Sequence, residues 1–284
     1  MSEPGEGALY VVATPIGNLD DLSVRAGEVL GRADLIAAED TRHSARLLAH
    51  LGIRASLLSL HEHNEAARVE RLREAVAAGQ QVALISDAGT PLISDPGFRV
   101  VRELRDAGLP VVPVPGPCAL VTALSAAGLP TDRFLFEGFL PARSGARRNR
   151  LEAVSELPVT LVFYEAPHRI RALLEDVGVV FGEREVVVAR ELTKTFETFL
   201  SGSAGQLVER MAADSNQTRG EFVVMIAPAA ERARETVASL AAEQLLTTLL
   251  EEGVGSKQAA AITSRLMGGR KSDWYQRALT LQGR

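Results

Sequence analysis

The sequence predicts two α/β domains followed by a small helical module. Over residues 8–128, short apolar strands alternate with helical stretches, the pattern of a mostly parallel sheet with helices on both faces. Over residues 129–228 the strands continue, but several follow one another with no clear helix between them, which predicts a mixed sheet. Residues 235–284 then show helical spacing only. A chain of 284 residues suits two compact domains, and 46% apolar residues supply their cores.

In the first domain the expected strands are 9–13, 34–38, 57–60, 82–85 and 111–114. Pro113 in the last of them predicts an edge position, because proline cannot donate to a ladder. Helices are expected through Val24, Val29 and Leu30, through Leu47, Leu48 and Leu51, up to about Gly79, over Val100, Val101 and Leu104, and over the small-residue run 119–128. The second domain begins near Thr131, with strands at 134–136 and 139–140, 159–164, 185–189, 196–200 and 220–226. Pro228 and the Ala/Glu/Arg run after it mark a linker. In the tail, helices span 240–250, 257–267 after a Ser256 cap, and the Trp274, Tyr275 and Leu279 segment after a Ser272 cap. Such short helices resemble a helix-turn-helix, and a small packing bundle is the other reading. Residues 1–7 are rich in Gly and Glu and are expected to be disordered.

Composition closes several routes. The single cysteine, Cys118, excludes an intramolecular disulfide and any metal site built on paired cysteines. The five histidines lack zinc-protease spacing, and His61 with His63 reads as a polar loop cluster rather than a metal site. No apolar run reaches membrane-span length and no secretion signal is recognisable, so a cytoplasmic enzyme without membrane contact is expected. A net charge of −5 argues against indiscriminate nucleic-acid binding and leaves room for a local basic patch.

The most informative stretch is 83–97. Its strand passes into a turn holding two glycines, two prolines, two aspartates, two serines and a threonine in twelve residues. Most strand-to-helix connections need only about two to six residues. A long loop at the carboxyl end of a strand is where ligands sit in open α/β sheets. Three further loops end strands in the same way, at 116–119, 163–166 and 189–191 with 220–222, and can converge on one cleft. No G-x-G-x-x-G turn is present, which disfavours a Rossmann cofactor site.

The segment Ser86–Gly97, together with residues 13–21 and 114–119, resembles the tetrapyrrole methylase-like family of S-adenosylmethionine (SAM) methyltransferases, and within it the subgroup that methylates ribosomal RNA. The resemblance covers about residues 8–228 and extends toward the tail. It implies a SAM site in a cleft between two α/β domains, S-adenosylhomocysteine as product, a homodimer, and methyl transfer to the ribose 2′-hydroxyl of a cytidine in 16S rRNA of the small ribosomal subunit. Carried over by motif, the cofactor contacts are Pro15, Asp87, Ala88, Gly89, Thr90, Ile93, Ser94, Cys118, Ala119, Tyr164, Ala189 and Glu221. Thr90 stands where a related motif has aspartate, and Cys118 where serine is common, so those two side chains carry less of the implication than their backbones.

Methyl transfer from a sulfonium needs an acceptor held in line and one proton managed, and positioning can supply most of the acceleration. No metal is required. Glu165, Glu191 and Lys194 are the catalytic candidates, with His168 and Glu197 nearby in sequence, and the residues alone do not single out the base. Arg143, Arg147, Arg148 and Arg150 fall in eight residues without an acid, which points to phosphate contact on an otherwise acidic chain. This segment and the helical tail favour the RNA reading. A small-molecule methylase on the same scaffold and a non-catalytic ribosome-binding module are the alternatives, and SAM binding discriminates the latter.

Overall fold

A computed structural model describes residues 7–61, 63–229 and 231–282, excluding the side chains of 231–240. Nearly all of the N-terminal segment expected to be disordered, the centre of the His61–His63 run and Ala230 in the expected linker after Pro228 therefore lie outside the described residues, and the rest of that Ala/Glu/Arg run is helical from Glu231.

The first sheet contains β1 (Ala8–Val12), β2 (Leu35–Ala38), β3 (Ser56–Ser59), β4 (Gln81–Ile85) and β5 (Val111–Val114) in the order β3-β2-β4-β1-β5, all parallel. Successive side chains on a strand face opposite sides, and β4 shows the consequence. Val82 and Leu84 join a core with Leu72, Val76, Val100 and Leu104 from α3 (Glu65–Ala77) and α4 (Phe98–Asp106). Ala83 and Ile85 join another with Val29, Leu30 and Leu48 from α1 (Val24–Arg32) and α2 (Thr41–His50). Both faces are covered, which is why the strand reads as an unbroken apolar run. Pro113 sits on the edge strand β5, as its missing donor requires.

Helix starts are fixed locally. Ser23 accepts from Ala26 N at 3.1 Å to cap α1, and Asp40 accepts from Arg42 N at 2.8 Å to cap α2. The start of α4 has no cap of its own and borrows one. Buried Glu65, the first residue of α3, accepts from Gly97 N at 3.2 Å and Arg99 N at 2.8 Å. The far end of the 86–97 loop is therefore held by a carboxylate from a different helix.

Helix α5 (Ala119–Ala126) follows β5, and its Leu120, Ala123 and Leu124 pack with Val162, Val187, Val223 and Met225 of the second sheet. That sheet contains β6 (Phe134–Phe139), β7 (Thr160–Glu165), β8 (Val186–Arg190), β9 (Thr198–Gly202) and β10 (Phe222–Ile226) in the order β6-β7-β10-β8-β9. Only β6 and β7 are parallel, so the sheet is mixed. Helices join more of these strands than their sequences announce: α6 (Ser144–Val154), α7 (Ile170–Phe181) and α8 (Ala204–Ala213) intervene, and only β8 and β9 follow directly. The arginine-rich 143–150 segment thus belongs mostly to a helix.

By contacts the chain gathers into two compact units, one reaching to Glu152 and resuming over Thr160–Ala227, the other formed by Ala153–Val159 and the tail from Pro228. The first holds both sheets. The tail has α9 (Glu231–Glu251), α10 (Ser256–Met267) and α11 (Lys271–Leu281), with Leu246, Ala259 and Ala278 buried beside Trp274. Neither expected serine cap forms. Ser256 is already the first helical residue and donates to Gln282 Oε1 at 2.8 Å. Ser272 lies inside α11 and donates to Asp273 Oδ1 at 3.0 Å.

Candidate active site

The loop after β4 is latched to three neighbouring strand ends. Thr14 N donates to Gly89 O at 2.8 Å, and Gly89 N returns the bond to Thr14 O at 3.0 Å. The Thr90 hydroxyl donates to Pro117 O at 2.9 Å, beyond β5. Asp87 Oδ1 accepts from Asp40 N at 3.0 Å, beyond β2. Gly89 has φ of +82°, and a Cβ there would lie 3.2 Å from Ile16 Cγ2. Farther along, Leu92 and Ser94 adopt φ of 73° and 66°, costly for residues with side chains.

The second sheet supplies the facing wall. The Tyr164 hydroxyl accepts from Leu120 N at 3.0 Å, near the start of α5. Burial raises its pKa, so it stays protonated at neutral pH. Its ring meets Phe136 and Phe139 edge-on, at centroid distances of 4.8 and 5.8 Å. Glu165 is buried. Its Oε1 accepts from Ala166 N at 2.8 Å and faces Arg169 Nε at 3.1 Å, while Oε2 has no hydrogen-bond partner among the described residues.

A third segment closes the ring. Lys194 Nζ sits 2.9 Å from both Glu191 Oε1 and Glu221 Oε2, and Glu221 N donates to Glu191 Oε1 at 3.0 Å. Partial desolvation works against both charges, yet the pairing wins: the Glu191 carboxyl lies below its ordinary pKa and the Lys194 amine above. Asn18 N donates to Thr193 Oγ1 at 3.0 Å, and a Cβ on Gly17 would fall 2.5 Å from Lys194 Cγ. The loop after β1 and the loop after β8 therefore meet.

Together these segments enclose a cavity of about 400 Å³. Asp87, Ala88, Gly89, Thr90, Ile93, Ser94, Cys118, Ala119, Tyr164, Glu165 and Glu221 line it, all expected from the sequence. Pro15, Ala189, Glu191 and Lys194 are not in its wall. Ala189 is buried within β8, and Glu191 with Lys194 form the ion pair that shapes the loop behind Glu221. His168 is exposed, and Glu197 accepts from Thr193 N at 2.6 Å.

Ala166 and Phe222 also line it, from the 163–166 and 220–222 loops expected to converge there, whereas sequence reasoning missed Ile16, Asp95, Phe139, Pro167, Leu192 and Val223. Asp95 was legible as part of the 86–97 motif but not as a wall residue. Burial pushes its carboxyl up to about 6; a hydrogen bond with Ser86 opposes this and the Asp87 charge adds to it. Among the described residues no His, Cys, Asp and Glu group could hold a metal ion. His61 and His63 meet ring to ring at 6.0 Å, and His61 Nε2 lies 3.0 Å from Asn64 Nδ2.

The four arginines separate. Arg143 is exposed, with no ion pair among the described residues. Arg147 is buried: its Nε donates to Asp176 Oδ2 at 2.7 Å and its guanidinium also donates to Ala142 O and Ala172 O. Arg148 shares Asp176 at 2.5 Å, and Arg150 grips Glu137 through two nitrogens at 2.6 and 2.7 Å. Arg147 is thus a correction to the expected phosphate-binding run, because its charge is spent inside the protein. The reason is Asp176, distant in sequence and brought beneath α6 by α7.

Residues 8–208 match the family model described as tetrapyrrole (corrin/porphyrin) methylases, and residues 236–282 match that of the RsmI C-terminal HTH domain. The chain is 56% identical over 281 residues to ribosomal RNA small subunit methyltransferase I of Pseudomonas aeruginosa, covering 98% of this chain and 99% of that protein. It is 50% identical over 271 residues to the Haemophilus influenzae protein of the same name, covering 95% of each. Among solved structures, diphthine synthase superposes with a TM-score of 0.61 at 16% identity, over 78% of this chain and 90% of that one. Uroporphyrin-III-C-methyltransferase from Thermus thermophilus superposes at 0.55 with 23% identity, over 78% and 94%. At such identities the likeness shows a shared fold.

Proposed function

The chain belongs to the tetrapyrrole methylase family, and from that premise we propose that it moves the methyl of SAM onto the ribose 2′-hydroxyl of a cytidine in 16S rRNA of the small ribosomal subunit. The observation that carries the reading is the cavity into which the motif loops of both sheets converge, on a chain similar over 98% of its length to a ribosomal RNA small subunit methyltransferase.

The residues present suit the cofactor. The cavity falls within the roughly 300–1,000 Å³ usual for small-molecule sites. Its wall is mixed: Ile16, Leu192 and Val223 are apolar, whereas Asp87, Asp95 and Glu221 carry carboxylates. SAM, when bound, supplies an electrophilic methyl and leaves as S-adenosylhomocysteine. Asp87, Ala88, Gly89, Thr90, Ile93, Ser94, Cys118, Ala119, Tyr164 and Glu221 would hold it. Apolar side chains exclude water, and the carboxylates favour a cationic ligand over a neutral one.

The chain's remaining task is the hydroxyl proton. Asp95 is ionised above about pH 6, faces the cavity and is our assignment for the proton acceptor. Glu165 orients the wall through Arg169 and Ala166. Glu191 and Lys194 act as positioning residues, since their charges satisfy each other behind Glu221. Exposed Arg143 supplies a phosphate contact. Among the described residues no helix is long and apolar enough to cross a membrane, and we place the enzyme in the cytoplasm as a homodimer. Ribose-methylation mapping of 16S rRNA from a strain lacking this protein tests the proposal: one cytidine methyl should disappear, and an unchanged map refutes it.

A further inference from the structure

Phe139 is 56% exposed although it lines the cavity. Its placement is engineered by the backbone. On a regular strand Phe136 and Phe139, three residues apart, would face opposite sides. The β6–β7 register shifts between Phe136 and Gly138, and Gly138 adopts φ of +64°. That bulge adds one residue, so both rings reach Tyr164. Bulges of this kind re-aim side chains beside active sites. A Cβ on Gly138 would lie 3.2 Å from Ser94 Oγ, so the bulge also abuts the motif loop.

The segment after Phe139 is pinned from within. Arg169 Nη2 donates to Leu140 O at 2.5 Å, and Arg147 Nη1 donates to Ala142 O at 3.2 Å. Arg143 then stands exposed at its end. An aromatic at the mouth, followed by a cation without an ion pair among the described residues, matches one nucleotide: a base to stack and a phosphate to pair.

We propose that Phe139 is the platform on which the base of the acceptor nucleotide stacks, keeping its ribose at the cavity mouth. The inference rests on the RNA-acceptor reading above. Stacking tolerates any base, so Phe139 acts in positioning rather than base choice.

The test compares wild type, Phe139→Ala and Phe139→Trp with small ribosomal subunits from a strain lacking this enzyme, reading KM for subunits, SAM affinity by calorimetry, and sedimentation. The alanine variant should raise the subunit KM by about five- to hundred-fold, with SAM affinity within about two-fold of wild type and unchanged sedimentation, while tryptophan restores KM. An unchanged KM overturns the proposal. So does SAM affinity falling in step, which would make Phe139 a cofactor wall, or altered sedimentation, which would assign the face to a second copy of the chain. Failure of tryptophan to restore KM also counts against it. If wild type transfers no methyl to subunits, the RNA reading itself has failed, and this inference falls with it.

Discussion

Thr14 and Gly89 exchange both backbone hydrogen bonds, at 2.8 and 3.0 Å, although 75 residues separate them. This two-bond bridge fixes the motif turn against the end of β1 and consumes the amide of Gly89 internally. Gly89 therefore serves the cavity by its shape, leaving room beside Ile16, rather than by donating to a ligand.

Gly89→Val should lower SAM affinity by tenfold or more. The new side chain meets Ile16, a cavity residue, and a β-branched residue at φ of +82° is strained by about 1 kcal/mol or more. Since β4 is buried on both faces, the ligand-free protein should still unfold cooperatively, with a melting temperature lower by several degrees. Calorimetric titration beside thermal unfolding checks both; normal SAM affinity in the variant contradicts the placement.

Asp95→Asn should separate stability from activity. The folded carboxyl titrates near 6, above its ordinary 3.8, so the folded state holds its proton more tightly than the unfolded one. That contribution is complete below the ordinary value and is lost as pH rises through about 6. Asparagine cannot ionise, so the ligand-free variant should melt higher than wild type at pH 7 and lose this pH dependence. Methyl transfer should fall sharply, and wild-type activity should decline below about pH 6. Melting curves from pH 4 to 8 and rates over the same range check the two halves separately.

Arg143→Ala and Arg147→Ala should differ in kind. Removing exposed Arg143 should weaken RNA binding and reduce the salt-dependence slope by about one unit, with no change in melting. Removing Arg147 leaves buried Asp176 with only its bonds from Arg148 and Ser144 and takes a donor from Ala142 O and Ala172 O, a loss of buried hydrogen-bond partners costing about 1–3 kcal/mol. Denaturant unfolding and salt-dependent binding on both variants distinguish them; equal melting would contradict the buried pair.

These contrasts mark what could be read from the chain alone. Val82–Ile85 announces a strand because both of its faces are covered, and Pro113 announces an edge because it lacks a donor. Most of the cavity wall was legible because it lies in contiguous motif loops. Arg147 was not, since a basic run carries no sign that Asp176, 29 residues away, lies beneath it. Asp95 and Phe139 were also hidden. The burial that shifts the one and the bulge that turns the other are products of tertiary packing, and neither leaves a local pattern.

The most direct measurement gives purified enzyme labelled SAM and small ribosomal subunits from a strain lacking it, then maps the label by mass. The account predicts one methyl per subunit, on the 2′-oxygen of a single cytidine in 16S rRNA, with transfer at limiting SAM reduced about tenfold or more in Gly89→Val. Label on a base, label spread over many riboses, or no transfer from a protein that binds SAM normally would contradict it.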